Sequence, residues 1–173
     1  VRMRAASTLT RTASICDILH RRFASASALS IANGLQYKTS LRCGETLLSS
    51  DMPPEGDAPR ASPSPKDLVM AGLAACTSMT IQANAERLVR AKKMQPDALK
   101  TILVSAQDTT PEGSHFAENV QVIVELEGTM SEDERRLLLA AGSRGCPVKA
   151  MLQGRLPGGV SLRLASPGEL SRR

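Results

Sequence analysis

Four cysteines occur in the 173-residue chain, Cys16, Cys43, Cys76 and Cys146, and their thiols are the side chains with the most obvious capacity for chemistry. No two form a C-x-x-C pair, and neither His20 nor His115 stands at ligand spacing from them, so no metal site is expected. No G-x-S-x-G elbow, phosphate loop or dinucleotide fingerprint is present, and the chemistry is expected to need no cofactor. Cys146, in GCPVKAMLQG, should cap a helix opened by Pro147, where unpaired N–H groups suit a nucleophilic sulfur and Arg144 and Lys149 are close in sequence. Cys76, in LAACTSMTIQ, is placed the opposite way, inside an apolar helix where burial disfavours the thiolate. On residue types alone Cys146 is the readier nucleophile, and Cys76 needs a cation brought from elsewhere. Cys43 ends a strand beside Gly44 and reads as structural; His115 lies in a polar loop and reads as solvated.

The elements that must position these thiols follow from patterning. LQYKTSLRC (35–43) alternates like a strand, and ETLLSS (45–50) can return beside it after Gly44. DMPPEGDAPRASPSP (51–65) holds five prolines and reads as a loop. Ser64, Pro65 and Asp67 mark a helix start as N-cap, first residue and first-turn acid. From Leu68 to Thr80 the run is apolar nearly all round, so both sides of this helix should be buried; the charged tail NAERLVRAKK should emerge into solvent, and Pro96 should end the helix. LKTILVSAQ (99–107) and AENVQVIVELEG (117–128) form the next strand pair. Ser131 and Glu134 make a capping box for a second helix, which Gly142 should stop; CPVKAMLQG (146–154) gives a third, and GGVSLRLA (158–165) a last strand. The pattern is α+β. A small sheet covers only one face of the long helix, and a second copy of the chain is the simplest cover for the other, so a homodimer is expected.

The net charge of +5 belongs mostly to the first 23 residues, where five arginines face one acid, Asp17. With Phe23, Tyr37 and Phe116 the only aromatic residues, there is neither a basic face nor a stacking platform for nucleic acid. No apolar run is expected to reach the ~20 residues of a membrane span. Residues 1–33 are rich in Arg, Ser, Ala and Thr and lack Lys, the composition of an organelle presequence. Two parts are therefore expected: a targeting leader over 1–33, removed between Phe23 and Gly34, and a folded domain over 34–173. The expected location is the mitochondrial matrix, ahead of a plastid or the cytoplasm.

SPKDLVMAGLAACTSMT (64–80), followed about seventy residues later by CPVKAMLQG (146–154), resembles the two cysteine motifs of the OsmC/Ohr family of osmotically inducible and organic hydroperoxide resistance proteins. The resemblance covers residues 34–165 and is nearest to the OsmC-like branch, whose acid lies nine residues before the first cysteine, where Asp67 stands. It implies an OsmC-like fold, with small antiparallel sheets packed on a long buried central helix, in an intertwined homodimer whose cysteines meet at the subunit interface. It also implies a thiol peroxidase in which Cys76 is oxidised to sulfenic acid by an organic hydroperoxide and Cys146 condenses with it to a disulfide, later reduced by a lipoyl-type dithiol. Leu73, Met79 and Met151 are then candidate walls of an apolar substrate pocket. Active members carry an arginine before the first hairpin strand, held by a glutamate. Ile31–Gly34 has no arginine here, and Lys66 stands at the glutamate's position. Arg42, Arg60 and Lys66, with Asp67, are the remaining candidates to activate Cys76. A non-catalytic dimer of the same fold, binding a small apolar or acyl ligand, is the alternative.

Overall fold

The computed structural model describes residues 26–30, 38–52, 62–111, 117–166 and 168–170. Among the described residues three strands come first: β1 (Ala26–Ser30), β2 (Thr39–Cys43) and β3 (Thr46–Ser50), paired antiparallel in the order β1-β2-β3. The β2–β3 turn is tight because Gly44 adopts φ 62°, a conformation that suits a residue without Cβ. This small sheet is tied to the body by the segment before the long helix. Asp51 N–H and the Ser50 hydroxyl donate to Pro63 O at 3.2 and 2.9 Å, and Ser49 and Ser62 hydroxyls bond at 2.7 Å. Strand β1 lies inside the stretch expected to be a leader; residues 1–25 and 31–33 of that stretch lie outside the described residues.

Helix α1 (Pro65–Arg90) begins as expected, with Ser64 and Asp67 in a reciprocal capping box. It stops at Arg90, six residues before Pro96, and Lys92 turns the chain at φ 55°. The proline is therefore not the terminator. Leu73, Thr77, Thr80, Ile81 and Ala85 form a buried stripe at three- and four-residue spacing. Gly72, Ala75 and Met79 on the other side are exposed, Met79 at 55%, and Val69 in the first turns is 45% exposed, so only one side of this helix is covered by its own chain. One covered side is what the sequence expectation assigned to the chain itself, the other being left to a second copy. The expectation about membrane spans is corrected: α1 is long and apolar enough by length and composition to cross one. Its buried stripe is nevertheless enclosed by the chain's own sheet and helices, as in a core helix.

The main sheet is β4 (Leu99–Thr109), β5 (Asn119–Gly128) and β6 (Gly159–Leu164), in the order β4-β5-β6. Strands β4 and β5 pair antiparallel, but β6 runs parallel to β5, so the sheet is mixed and not antiparallel throughout. Central β5 carries Val120, Val122, Val124 and Leu126 at alternate positions, all at most 5% exposed, and these join Leu73, Ile81 and Leu138 in the core. Behind it the buried carboxylate of Glu125 accepts the N–H groups of Gly168 and Leu170 at 2.7 and 2.9 Å, which fixes the chain after β6.

Helix α2 (Glu132–Gly145) opens with the expected capping box of Ser131 and Glu134. It runs through Gly142 instead of ending there. The missing side chain serves packing: a Cβ at Gly142 would stand 2.8 Å from Ile81 Cγ1 and 3.6 Å from Thr77 Cγ2, and one at Gly145 would stand 2.9 Å from Thr80 Cγ2. Two glycines one turn apart thus let α2 lie close against α1. Cys146 follows, and helix α3 (Pro147–Gln153) completes the set.

Candidate active site

The α1–α2 approach decides where the thiols go. Cys146 occupies the corner between α2 and α3, extended at φ −80° and ψ 110°, and is only 2% exposed. Its sulfur caps α3, accepting Lys149 N–H at 3.4 Å, and it also receives the hydroxyl of Thr77 from α1 at 3.7 Å. Cys76, one residue before Thr77, is half-buried, and its thiol lies in hydrogen-bond contact with Cys146 and with Val148 N–H. Two consecutive amides of α3 therefore serve the two sulfurs, one each. Residues about seventy apart in sequence have become one dithiol. Both thiols are free in this structure.

The electrostatics of Cys76 match its apolar setting. Burial pushes its thiol above the usual range, the Val148 N–H pulls it down, and the neighbouring Cys146 pushes it up again, with a smaller downward pull from Thr80. Thr80 donates to Cys76 O at 2.8 Å and has a single proton, so it serves that carbonyl or the sulfur, one at a time. Among the described residues, no lysine or arginine contributes to the shift.

The candidate cations lie elsewhere. Lys66 Nζ donates to Asp108 Oδ2 at 2.9 Å and to Thr110 Oγ1 at 3.1 Å. The Thr110 hydroxyl and then Lys66 hold the Asp108 carboxyl below the usual carboxylate range. Asp67 accepts Ser64 N–H and the Ser64 hydroxyl in the α1 capping box. Arg42 is exposed on β2, opposite Leu47. Lys149 Nζ is held by Ser143 O and Oγ at 3.2 and 2.7 Å, and Arg144 is exposed. Arg60 lies outside the described residues, as do Cys16, His20 and His115.

Of the expected pocket walls, Leu73 is fully buried in the core and lines no opening, because it projects from the inner stripe of α1. Met79 and Met151 are 55% and 75% exposed, each three residues on from a group at the dithiol (Cys76 on α1, Val148 on α3). Cys43 is exposed at the end of β2. The sequence reading overlooked Thr77 and Thr80. Two threonines one turn apart in an otherwise apolar helix were the available signal, since buried hydroxyls need partners.

Residues 56–160 match the family model described as OsmC-like protein. This chain belongs to that family. Solved structures similar to it include an OsmC-like protein from Mycoplasma pneumoniae (TM-score 0.61, 20% identity, 84% of this chain and 99% of that one). An organic hydroperoxide resistance protein OsmC from Legionella pneumophila matches with a TM-score of 0.60 at 19% identity, over 84% of this chain and 98% of that one. The organic hydroperoxide resistance protein OhrB of Bacillus subtilis gives 0.57 at 18%, over 83% and 98%. No curated protein sequence matches the chain. At these identities the likeness establishes the OsmC-like fold.

Proposed function

We propose that this OsmC-like chain is a thiol-dependent peroxidase that reduces organic hydroperoxides in oxidative stress defence. The observation that carries the reading is the contact between the Cys76 and Cys146 thiols, one reaching the surface and the other buried behind it. As thiolate, Cys76 attacks the outer oxygen of ROOH; the O–O bond breaks, ROH leaves after taking up a proton, and Cys76 is left as sulfenic acid. The Cys146 thiolate attacks that sulfur, the S–O bond breaks, and hydroxide leaves as water once protonated. A dithiol of lipoyl type returns the disulfide to two thiols by exchange. Exposed Met79 and Met151, each three residues on from a group at the dithiol, offer apolar surface suited to an alkyl hydroperoxide. The working unit is a homodimer, in which the exposed side of α1 is covered by a second copy, and the protein acts in the mitochondrial matrix after loss of its leader.

The second reading is a non-catalytic dimer that binds a small apolar or acyl ligand at the same cleft. It is favoured by one feature, the lack of a described cation at Cys76. Stopped-flow consumption of an alkyl hydroperoxide with a dithiol reductant separates the two. Turnover that disappears in Cys76→Ser supports the peroxidase. Wild-type protein that leaves the peroxide untouched supports the ligand-binding dimer.

A further inference from the structure

The two threonines of the dithiol face have the same type and the same helix, yet their hydroxyls point to different tasks. Threonine inside a helix usually donates back to the carbonyl four residues earlier, and Thr80 does so to Cys76 O at 2.8 Å. Thr77 does not follow it. Its side chain is fully buried, its methyl faces the gap left by Gly142, and its hydroxyl crosses from α1 to Cys146 Sγ. The glycine on α2 therefore accepts the methyl, and that leaves the oxygen aimed at sulfur. With Lys149 N–H on the same sulfur, Cys146 is held from two elements while facing Cys76.

We propose that Thr77 is a positioning residue for the second chemical step, holding the Cys146 sulfur in line to attack a Cys76 that carries a leaving group. The inference deepens the peroxidase reading and rests on it for the natural leaving group, the hydroxide of a sulfenic acid. The geometry itself serves any leaving group on Cys76. When Cys76 attacks a disulfide RSSR, it becomes Cys76–S–SR and releases one thiolate; Cys146 then attacks Cys76, forms the intramolecular disulfide and releases the second. The hydroxyl donates to the attacking thiolate throughout, a role that a methyl cannot fill. Lys149 Nζ is occupied by Ser143 and Arg144 is exposed, so no described cation takes over that role.

The test uses full-length protein with Cys16→Ser and Cys43→Ser, so that only the two site thiols react. An aromatic disulfide that releases a coloured thiolate gives two phases: attack by Cys76, then closure by Cys146. Thr77→Val, which keeps the shape and removes the hydroxyl, should slow the second phase about tenfold. Thr77→Ser should restore that phase even though it loses the methyl contact at Gly142. A role in packing alone predicts the reverse order, with Ser impaired and Val normal, and that result overturns the proposal. Should Thr77→Val not fold, the pair Thr77→Ser and Thr77→Ala, which differ by one oxygen, carries the same comparison; equal second phases overturn the proposal. A parallel arm replaces the disulfide with an alkyl hydroperoxide, where slowed closure should raise the fraction of Cys76 driven to sulfinic acid about tenfold. If that arm shows no oxidation while the disulfide arm behaves as expected, the peroxidase reading falls and the positioning role stands.

Discussion

The setting of Cys76 makes a quantitative statement about pH. Its thiol is raised by burial and by Cys146, and the opposing hydrogen bonds from Val148 and Thr80 do not cancel the rise. A thiol that titrates above the ordinary value of ~8.5 is at most about 3% thiolate at pH 7, since each unit between pH and pKa is a factor of ten. Only the thiolate attacks peroxide. The sign follows: a raised acid pKa reduces the reactive form at a given pH, and raising the pH recovers it. The second-order rate of Cys76 with an alkyl hydroperoxide should therefore climb about tenfold per unit from pH 6 to 8 and level off only above ~8.5. Stopped-flow measurements in a Cys43→Ser background, with loss of free thiol as the readout, give this profile directly. A plateau at or below pH 7 would refute the reasoning, because it requires a cation at Cys76 from a segment or subunit outside the described contacts. Placing one there offers the converse check. Met79→Lys, one turn beyond Cys76 on the exposed side of α1, should raise the rate at pH 7 and move the plateau to lower pH.

Three further outcomes are expected. Gly142→Ala should lower thermal stability: crowding against Ile81 Cγ1 at 2.8 Å costs about 1–3 kcal/mol, against a gain of ~1 kcal/mol in helix propensity. A net loss of about 1 kcal/mol corresponds to a fall of ~3 °C in the melting midpoint, and an unchanged or higher midpoint would show that α2 can shift. In sedimentation the wild-type protein should be a dimer at micromolar concentration, and Val69→Glu should shift it towards monomer without unfolding it, since Val69 is 45% exposed in the single chain. The mature N-terminus, read by mass spectrometry from cells, should fall before Ala26: a cut as late as Gly34 would remove β1 and leave β2 without its edge partner.

Both helix starts were legible because each is a local device. Ser64 with Asp67, and Ser131 with Glu134, declare a helix start within four residues, and the structure places α1 and α2 directly after them. Strands β2 to β6 were legible to within a few residues for the same reason of local periodicity, whereas β1 was not, because residues 26–30 were read as part of a leader. Gly142 was misread because its usual meaning is a helix end, whereas here it answers Ile81 on another helix, a fact no local window holds. Strand β6 pairing parallel to β5 likewise depends on where α2 and α3 carry the chain. At the site, the pairing of Cys76 with Cys146 was suggested by resemblance alone, and their contact follows from the close α1–α2 packing. Lys66 could be named as a cation from sequence, but its engagement with Asp108 and Thr110, on and just after β4, could not.

The position of Cys76 around α1 links these observations. The helix has an inner stripe through Leu73, Thr77 and Ile81, enclosed by the core, and an outer stripe through Gly72, Ala75 and Met79, open in the single chain. Cys76 lies at the border of the two, three residues after Leu73 and three before Met79. A thiol on the inner stripe would be as closed to substrate as Cys146, and one on the outer stripe would lose its contacts with Cys146 and Val148. At the border it keeps its partner on one side and presents an open flank on the other. Whatever covers the outer stripe must then form part of the approach to Cys76. Large apolar side chains left in water each forgo about 1.5–3 kcal/mol of burial, so a cover over Val69 and Met79 is favoured on stability alone. A cover that brings a charged group near Met79 would also alter the reactivity of Cys76. Assembly and reactivity are thus coupled through one helix face. For that reason Val69→Glu should be assayed for its effect on the pH profile as well as on mass: a dimer that supplies a cation would lose its low-pH plateau on dissociation, and a dimer that supplies only apolar cover would keep the same steep rise between pH 6 and 8 in either state.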